Sequence, residues 1–126
     1  MLHLLLLLSS ADMAIQDAEV CSLVDGAVII DNDDEYIGKI ADIYIKDSIY
    51  NEYGPYGSEY RRESVFNEYG KNGSEYRSGS ATNEYTITPP RIIKDGRVIA
   101  YLTKNKSLRG GIDPVVLGVT CYDWKP

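Results

Sequence analysis

The chain has 126 residues, a formal net charge of −6, two cysteines and one histidine. That length fits one domain, and the acidic balance leaves no basic stripe to neutralise the phosphates of a nucleic acid. The single histidine excludes a multi-histidine metal site, and neither a serine-nucleophile motif nor a phosphate-binding glycine loop occurs. No apolar run reaches the roughly 20 residues that would cross a bilayer.

The chain begins with a short leucine block. Residues 1–11 read MLHLLLLLSSA, with Ser9 and Ala11 at the −3 and −1 positions of a cleavage before Asp12. This pattern resembles a secretory signal peptide, although no lysine or arginine precedes the block. Two other interpretations stay open, a true start at Met13 and an apolar helix that packs on a partner. The signal-peptide interpretation predicts a secreted or periplasmic protein. A cytoplasmic protein is the alternative.

Charge is unevenly distributed along the chain. Residues 11–36 contain eight acidic residues and no lysine or arginine, whereas residues 91–109 contain six basic residues and only Asp95 as an acid. Intramolecular pairing, head-to-tail contact between copies and two unrelated solvated faces all fit this asymmetry. The second interpretation leaves a homo-oligomer open.

Two pairs of β-branched runs flank the middle of the chain and predict two hairpin-like units. The first spans residues 28–40 around an acidic loop, and the second spans residues 91–102 around Asp95-Gly96, a strong hairpin signal. The alternating segment 42–46 predicts an extension of the first unit.

The last residues predict a short helix or turn. Asp113-Pro114 supplies a cap and a first-turn proline before Val115. Residues 119–122 predict a final strand.

The two cysteines, Cys21 and Cys121, lie near the two ends of the expected folded part. Their separation does not fit a zinc or redox CxxC motif. In an exported protein they would form a disulfide that closes a loop of about 100 residues, which the chain-entropy model values at roughly 4–5 kcal/mol. In a reducing cytosol they would be two buried free thiols.

A sixteen-residue repeat occupies the middle of the chain. Residues 48–63 read SIYNEYGPYGSEYRRE, residues 64–79 repeat this without a gap, and residues 80–90 begin a partial third copy. The repeated glycines mark bends that need positive φ or close backbone approach. Asparagine and serine beside them can bond to their own backbone and stabilise turns.

The repeat units contain little aliphatic material. Between residues 48 and 86 the only such residues are Ile49, Val65 and Ala81. We therefore expect tyrosine to supply the buried area, with Tyr53, Tyr69 and Tyr85 in the core because they recur in every unit. Tyr56 is expected to be the more exposed ring, because its equivalent is Asn72.

The repeat and the segments after it resemble a family of uncharacterised bacterial proteins. Its members carry tandem N-x-Y-G-x-Y-G-S repeats, then a P-P-x-I strand and a Y-L-T-x-N segment, which here are residues 89–92 and 101–105. The resemblance covers residues 28–112 and implies an architecture and a bacterial origin, with no known activity and no catalytic residue. This chain departs from the pattern at Asn72, where tyrosine is expected, and at Thr86, where glycine is expected.

The repeated tyrosines, amides and acids are the candidate binding residues. An aromatic and amide surface suits sugars or peptides, because a tyrosine ring gives apolar contact and its hydroxyl a hydrogen bond. The candidates are Tyr56, Asn51, Glu52, Asn67, Glu68, Asn83 and Glu84. Turn-stabilising asparagines, and glutamates paired with Arg61, Arg62 and Arg77, are the structural alternative.

Catalysis and metal binding have weaker candidates. Two of the repeated glutamates could act as a glycosidase-like pair if they were suitably spaced. Asp31, Asp33 and Asp34 are weak candidates for calcium, since their loop lacks the glycine and distal glutamate of an EF-hand. A solvated hairpin turn explains these aspartates as well.

Together these patterns predict a small, mainly β single domain over residues 12–126, in which two hairpin-like units flank turn-rich repeats and a short helix or turn follows. The function we expect is that of a non-enzymatic, exported bacterial module for binding or structural association at the cell surface. Carbohydrate or protein is the expected partner, with no cofactor, nucleic acid or membrane span. The alternative is a small enzyme or a metal-stabilised domain that acts on wall or extracellular polymers.

Overall fold

The computed structural model describes the backbone of residues 10–126 and the side chains from residue 17 onwards. The candidate signal peptide at residues 1–11 therefore lies, up to residue 9, outside the described residues. The elements in chain order are α1 (Ser10–Val24), β1 (Val28–Ile30), β2 (Tyr36–Lys39), β3 (Arg91–Lys94), β4 (Arg97–Leu102), β5 (Gly111–Ile112) and α2 (Pro114–Tyr122). Within this part of the chain, neither helix has the length and apolar character that crossing a bilayer requires.

One five-stranded sheet joins the two predicted hairpins. Its strand order is β2-β1-β3-β4-β5, and all pairs are antiparallel except β4–β5. The hairpins meet where β1 pairs with β3, which places Ile29 opposite Ile92, and both side chains are fully buried. Asp95 and Gly96 both have positive φ, the geometry that Asp-Gly favours in a two-residue hairpin turn. The prediction of a small, mainly β domain is confirmed.

Residues 40–90, all of them described, contain no extended strand and fold as consecutive turns. The N–H of every third residue donates to the carbonyl three positions earlier, from Ile45 and Asp42 as far as Thr86 and Asn83. Once in each of the first two units the step lengthens to four residues, where a serine N–H donates to Gly54 or Gly70. Four steps of three residues and one of four make sixteen, so the turns themselves set the repeat length.

The structural repeat begins six residues earlier than the sequence match at Ser48 indicated. The turns start at Asp42. Two complete units span residues 42–57 and 58–73, and a third, whose turns end at Thr86, spans residues 74–89. We call residues 42–89 the turn coil. The prediction that residues 42–46 extend the first hairpin is wrong, because their N–H and C=O groups form the opening turns of the coil.

The turn coil contributes aliphatic side chains to the core. Ile49, Val65 and Ala81 occupy the same place in successive units, and all three are fully buried with the residues of the sheet. The prediction that Tyr53, Tyr69 and Tyr85 lie in the core is wrong, because these three side chains are 87–91% exposed. The next position along the coil adds aromatic area, since Tyr50 belongs to the core and Phe66 packs against it.

The C-terminal helix α2 starts as predicted and continues further than predicted. The Asp113 carboxylate accepts hydrogen bonds from the N–H groups of Val115 and Val116, at 2.8 and 3.4 Å, and Pro114 opens the first turn. The prediction of a final strand over residues 119–122 is wrong, because α2 extends to Tyr122.

Aromatic contacts and a disulfide fix α2 to the rest of the domain. The buried Tyr50 hydroxyl donates to the Pro114 carbonyl at 2.6 Å, and Phe66 stacks on Trp124 with ring centroids 4.6 Å apart. Cys121 in α2 is bonded to Cys21 in α1. The two ends of the described chain are therefore joined covalently beside the core.

Candidate functional site

Six tyrosines project from the turn coil in two sets. The backbone N–H of each tyrosine donates to the side-chain oxygen of the residue two positions earlier. This local turn repeats in every unit. The first set is Tyr44, Tyr60 and Tyr76, and the second is Tyr53, Tyr69 and Tyr85. Their exposed fractions lie between 85% and 91%, so almost the whole of each ring is available to a partner.

An exposed glutamate precedes five of these six tyrosines. The pairs are Glu52-Tyr53, Glu59-Tyr60, Glu68-Tyr69, Glu75-Tyr76 and Glu84-Tyr85. Hydrogen bonding to Glu75 and its negative charge raise the pKa of Tyr76, and Glu59 does the same to Tyr60. Tyrosine hydroxyls are neutral in the physiological range even without such a shift, so they can donate hydrogen bonds.

Tyrosines and glutamates of the second and third units border one open groove of about 950 Å³. We call it the tyrosine groove. Its polar and aromatic border consists of Glu68, Tyr69, Glu75, Tyr76, Arg77, Glu84, Tyr85 and Lys104. Val65, Phe66 and Thr82 also line it. A smaller concavity of about 400 Å³ shares Glu84, Tyr85 and Lys104 with it and continues towards Ser107.

The predicted binding asparagines serve the coil itself. The Asn67 side chain accepts from the Tyr69 N–H and donates to the Arg61 carbonyl, both at 3.0 Å. Asn51 and Asn83 make the equivalent pairs of bonds. All three are half-buried, and both polar atoms of each amide are used within the protein. The predicted glutamates Glu52, Glu68 and Glu84 remain exposed and form no ion pair among the described residues.

Tyr56 does not take the exposed position expected of it. Its ring is half-buried and meets the ring of Tyr36 edge-on, with centroids 5.2 Å apart. Asn72, its equivalent in the second unit, is buried and donates to Asp31 and to the Glu63 carbonyl. This position faces the β1–β2 hairpin in both units, so the expected contrast between Tyr56 and the recurring tyrosines is reversed.

The aspartates proposed for calcium surround a lysine instead. Asp31 is fully buried, and its carboxylate lies 3.2 Å from the Lys71 ammonium, which also lies 3.0 Å from Asp33 and 3.1 Å from Glu35. Asp34 pairs with Arg91. No cluster of three or more potential metal ligands occurs in the part of the chain that the structure describes.

Hydrogen bonds and neighbouring charges favour the ionised forms of Asp31 and Lys71. Burial raises the pKa of Asp31, but bonds from the Glu35 N–H, the Asn72 amide, Lys71 and the Asp33 N–H outweigh burial and lower it overall. Hydrogen bonds to the carboxylates of Asp33, Glu35 and Asp31 raise the pKa of Lys71, and the bond to Asp33 contributes most. The interpretation of this loop as a freely solvated turn is therefore wrong for Asp31, which links the hairpin to the coil.

Sequence reasoning missed several residues of the groove. Lys104 comes from the segment after β4 and carries no local motif that ties it to the repeats. Glu75 and Arg77 lie inside the repeat but were not singled out as binding residues. The available signal was the sixteen-residue spacing of Tyr44, Tyr60 and Tyr76, which extends the repeat upstream of Ser48.

Comparison with known proteins adds no assignment, since the chain matches no protein-family model, no curated protein and no solved structure.

Proposed function

We propose that the protein is a non-enzymatic, exported bacterial binding module that holds a neutral carbohydrate polymer in the tyrosine groove at the cell surface. One observation carries this proposal. Three tyrosines, each 85–88% exposed, and three exposed glutamates border a single open groove. Apolar surface concentrated in one concavity with a polar rim is typical of interaction sites.

The chemistry of the groove suits a sugar. A sugar ring presents C–H groups on its faces and hydroxyls around its edge. Tyrosine offers an apolar ring, a hydroxyl and only two side-chain torsions to immobilise. Carboxylates such as Glu68 accept hydrogen bonds from hydroxyls, and Arg77 and Lys104 donate them. Every chemical feature of a neutral sugar therefore has a counterpart in the groove.

Charge argues against an anionic polymer. Glu68, Glu75 and Glu84 outnumber Arg77 and Lys104 around the groove, and the whole chain carries a net charge of −6. A polyanion would meet like charge both at the groove and at long range, which slows association and weakens binding. An uncharged polysaccharide meets no such opposition.

The alternative function is a small enzyme that acts on wall or extracellular polymers. Glycoside hydrolysis needs a carboxylic acid whose pKa is raised, usually by burial in apolar surroundings. The three glutamates of the groove are all exposed. Their environment supports hydrogen bonding to a ligand better than general-acid catalysis.

Two features support export of the protein by a bacterium. The Cys21–Cys121 disulfide is of a kind that persists in oxidising compartments and is rare in the cytosol. The leucine block in residues 1–11 resembles a signal peptide. The bacterial assignment follows from the resemblance of the repeats to an uncharacterised bacterial family.

The test is retention of the purified, oxidised protein on three uncharged insoluble polysaccharides, chitin, cellulose and β-1,3-glucan, compared with the double variant Tyr76→Ala/Tyr85→Ala. We expect at least one polymer to retain the unchanged protein and the variant to bind about tenfold more weakly or worse, because two aromatic contacts are lost. Tyr44→Ala is the matched control, since Tyr44 is equally exposed at 85% but does not line the groove. Absence of binding to all three polymers, or equal binding of the double variant and the control, would contradict the proposal.

A further inference from the structure

We propose that the turn coil carries two equivalent subsites in tandem, so that its ligand is a linear polymer whose successive segments occupy both. This inference rests on the proposed function and extends it. The second subsite is the tyrosine groove between the second and third units. The first lies one repeat earlier, between the first and second units.

The repeat supplies the residues of the first subsite. Moving the border of the tyrosine groove back by sixteen residues gives Glu52, Tyr53, Glu59, Tyr60, Arg61, Glu68 and Tyr69. Each of these positions has the same residue type as its counterpart. Tyr53, Tyr60 and Tyr69 are 91%, 86% and 88% exposed, which matches the rings of the groove itself. Glu68 and Tyr69 belong to both sets, so the two subsites adjoin.

Backbone hydrogen bonds give the two sets the same local geometry. Tyr53 donates its N–H to the Asn51 side chain at 3.0 Å, as Tyr69 does to Asn67. Tyr60 donates to Ser58 at 3.2 Å, as Tyr76 does to Ser74. Equivalent turns place the side chains in equivalent directions relative to their own unit. A ligand with a regular repeat can therefore meet the same chemistry twice.

One substitution between the units distinguishes the two subsites. Thr82 lines the groove, and its counterpart one unit earlier is Phe66. The Phe66 ring is much larger and is held by its stacking on Trp124, with centroids 4.6 Å apart. The first subsite therefore has a bulkier side chain at this position and no counterpart of Lys104, which lies outside the repeat. We expect it to bind more weakly than the second.

Adjoining subsites on one rigid coil make binding depend on ligand length. An oligomer that fills one subsite gains nothing from the other, whereas a longer one meets the other subsite at high effective concentration. Affinity should thus rise steeply with length and then level off. A single groove would instead give a plateau as soon as that groove is filled.

The experiment measures affinity for soluble β-1,4-linked oligomers of glucose and of N-acetylglucosamine, two to eight units long, by calorimetry. The unchanged protein is compared with Tyr53→Ala/Tyr60→Ala, with Tyr76→Ala/Tyr85→Ala and with the control Tyr44→Ala. Tyr44 is equally exposed, at 85%, but no unit precedes its own, so it belongs to neither subsite. All the substituted rings are at least 85% exposed, so unfolding midpoints should stay unchanged.

We expect the longest oligomers to bind the unchanged protein about a hundredfold more tightly than the shortest that binds measurably. In Tyr53→Ala/Tyr60→Ala this gain should disappear while binding of short oligomers persists. Equal length dependence in Tyr53→Ala/Tyr60→Ala and Tyr44→Ala would overturn the first subsite and leave the groove as a single site. If the unchanged protein bound none of these oligomers and none of the insoluble polymers, the proposed function itself would fail, and the tandem subsites with it.

Discussion

The glycines near the end of the first two coil units are required by space and not by backbone conformation. A Cβ on Gly57 would lie 2.1 Å from the Asn51 carbonyl oxygen, and one on Gly73 would lie 2.2 Å from that of Asn67. Neither glycine has positive φ. The obstructing atom belongs to the backbone of the same unit, so it cannot move aside without opening the turn.

Gly73→Ala should therefore destabilise the protein by about 3 kcal/mol or more, as expected when a substitution forces backbone apart. Urea unfolding of the oxidised protein measures this. Gly96→Ala is the control, because Gly96 has a φ of +76° but no atom within 4 Å of an added Cβ. It should lose only the about 1–2 kcal/mol that a left-handed alanine costs. Losses of the same size in both variants would contradict the close-approach argument.

One link between the β1–β2 hairpin and the turn coil is electrostatic. Asp31, in the hairpin loop, is fully buried and accepts hydrogen bonds from Asn72 of the coil and from two backbone N–H groups of its own loop. Lys71 completes the contact from the coil side. Because the interactions that lower the pKa of Asp31 exist only in the folded state, the stability of the protein must depend on pH.

The sign of that dependence follows from the direction of the shift. The pKa of Asp31 is lower in the folded protein than its ordinary value of 3.8. Its stabilisation is therefore complete at neutral pH, starts to fall near that ordinary value and is lost as the pH drops through the folded pKa. The raised pKa of Lys71 acts at the other end, where stabilisation is lost only as the pH rises above the ordinary value of 10.5.

Asp31→Asn should lower stability at pH 7 by about 2 kcal/mol. The variant loses the buried charge that pairs with Lys71, and the hydrogen bonds that residue 31 accepts from two backbone N–H groups become weaker. The variant should also lose less stability than the unchanged protein between pH 7 and pH 3, since residue 31 no longer titrates. Urea midpoints at both values measure this. Asp33→Asn, with a side chain that is 62% exposed, should change stability by less than about 0.5 kcal/mol. If Asp31→Asn and the unchanged protein lost equal stability between pH 7 and pH 3, the attribution of this pH dependence to Asp31 would be refuted.

The elements most visible in the sequence were those with local signals. Asp95-Gly96 and Asp113-Pro114 each fix a hairpin turn or a helix start within a few residues, and both predictions are confirmed. Repeat length was also visible, but its cause was not. Identity of sequence cannot reveal that five hydrogen-bonded steps add up to sixteen residues, or that the pattern starts at Asp42 despite weak identity there.

The candidate site was only partly predictable, because recurrence does not distinguish burial from exposure. Tyr53, Tyr69 and Tyr85 recur as core residues would, yet each follows an Asx turn whose corner points to solvent. Departures from the repeat proved more informative. The hydroxyl of Thr86 donates to the Ser78 carbonyl. The equivalent carbonyl in the first unit crowds Gly54, the counterpart of Thr86. At the end of the coil this position therefore accommodates a threonine side chain.

Across the whole molecule, the charge asymmetry resolves in part into intramolecular contacts. Arg91 pairs with Asp34, and the Lys94 ammonium donates to the Ser22 and Leu23 carbonyls at the end of α1, where a cation is favoured by the helix dipole. The remaining bases of residues 91–109 form no ion pair in the part of the chain that the structure describes. Of these, Lys104 lines the tyrosine groove.

The disulfide between α1 and α2 is expected to stabilise the protein strongly. It joins residues 100 positions apart, and the chain-entropy model assigns a loop of that length about 4–5 kcal/mol. Cys21→Ser/Cys121→Ser should therefore unfold at a much lower urea concentration than the oxidised protein, with a steeper dependence on urea because its unfolded chain is no longer held compact. Reductant should bring the unchanged protein to the same midpoint and leave the double variant unaffected. Protein recovered without reductant should weigh two hydrogens less than its reduced form, and two titratable thiols in that native protein would contradict both the bond and the export argument that depends on it.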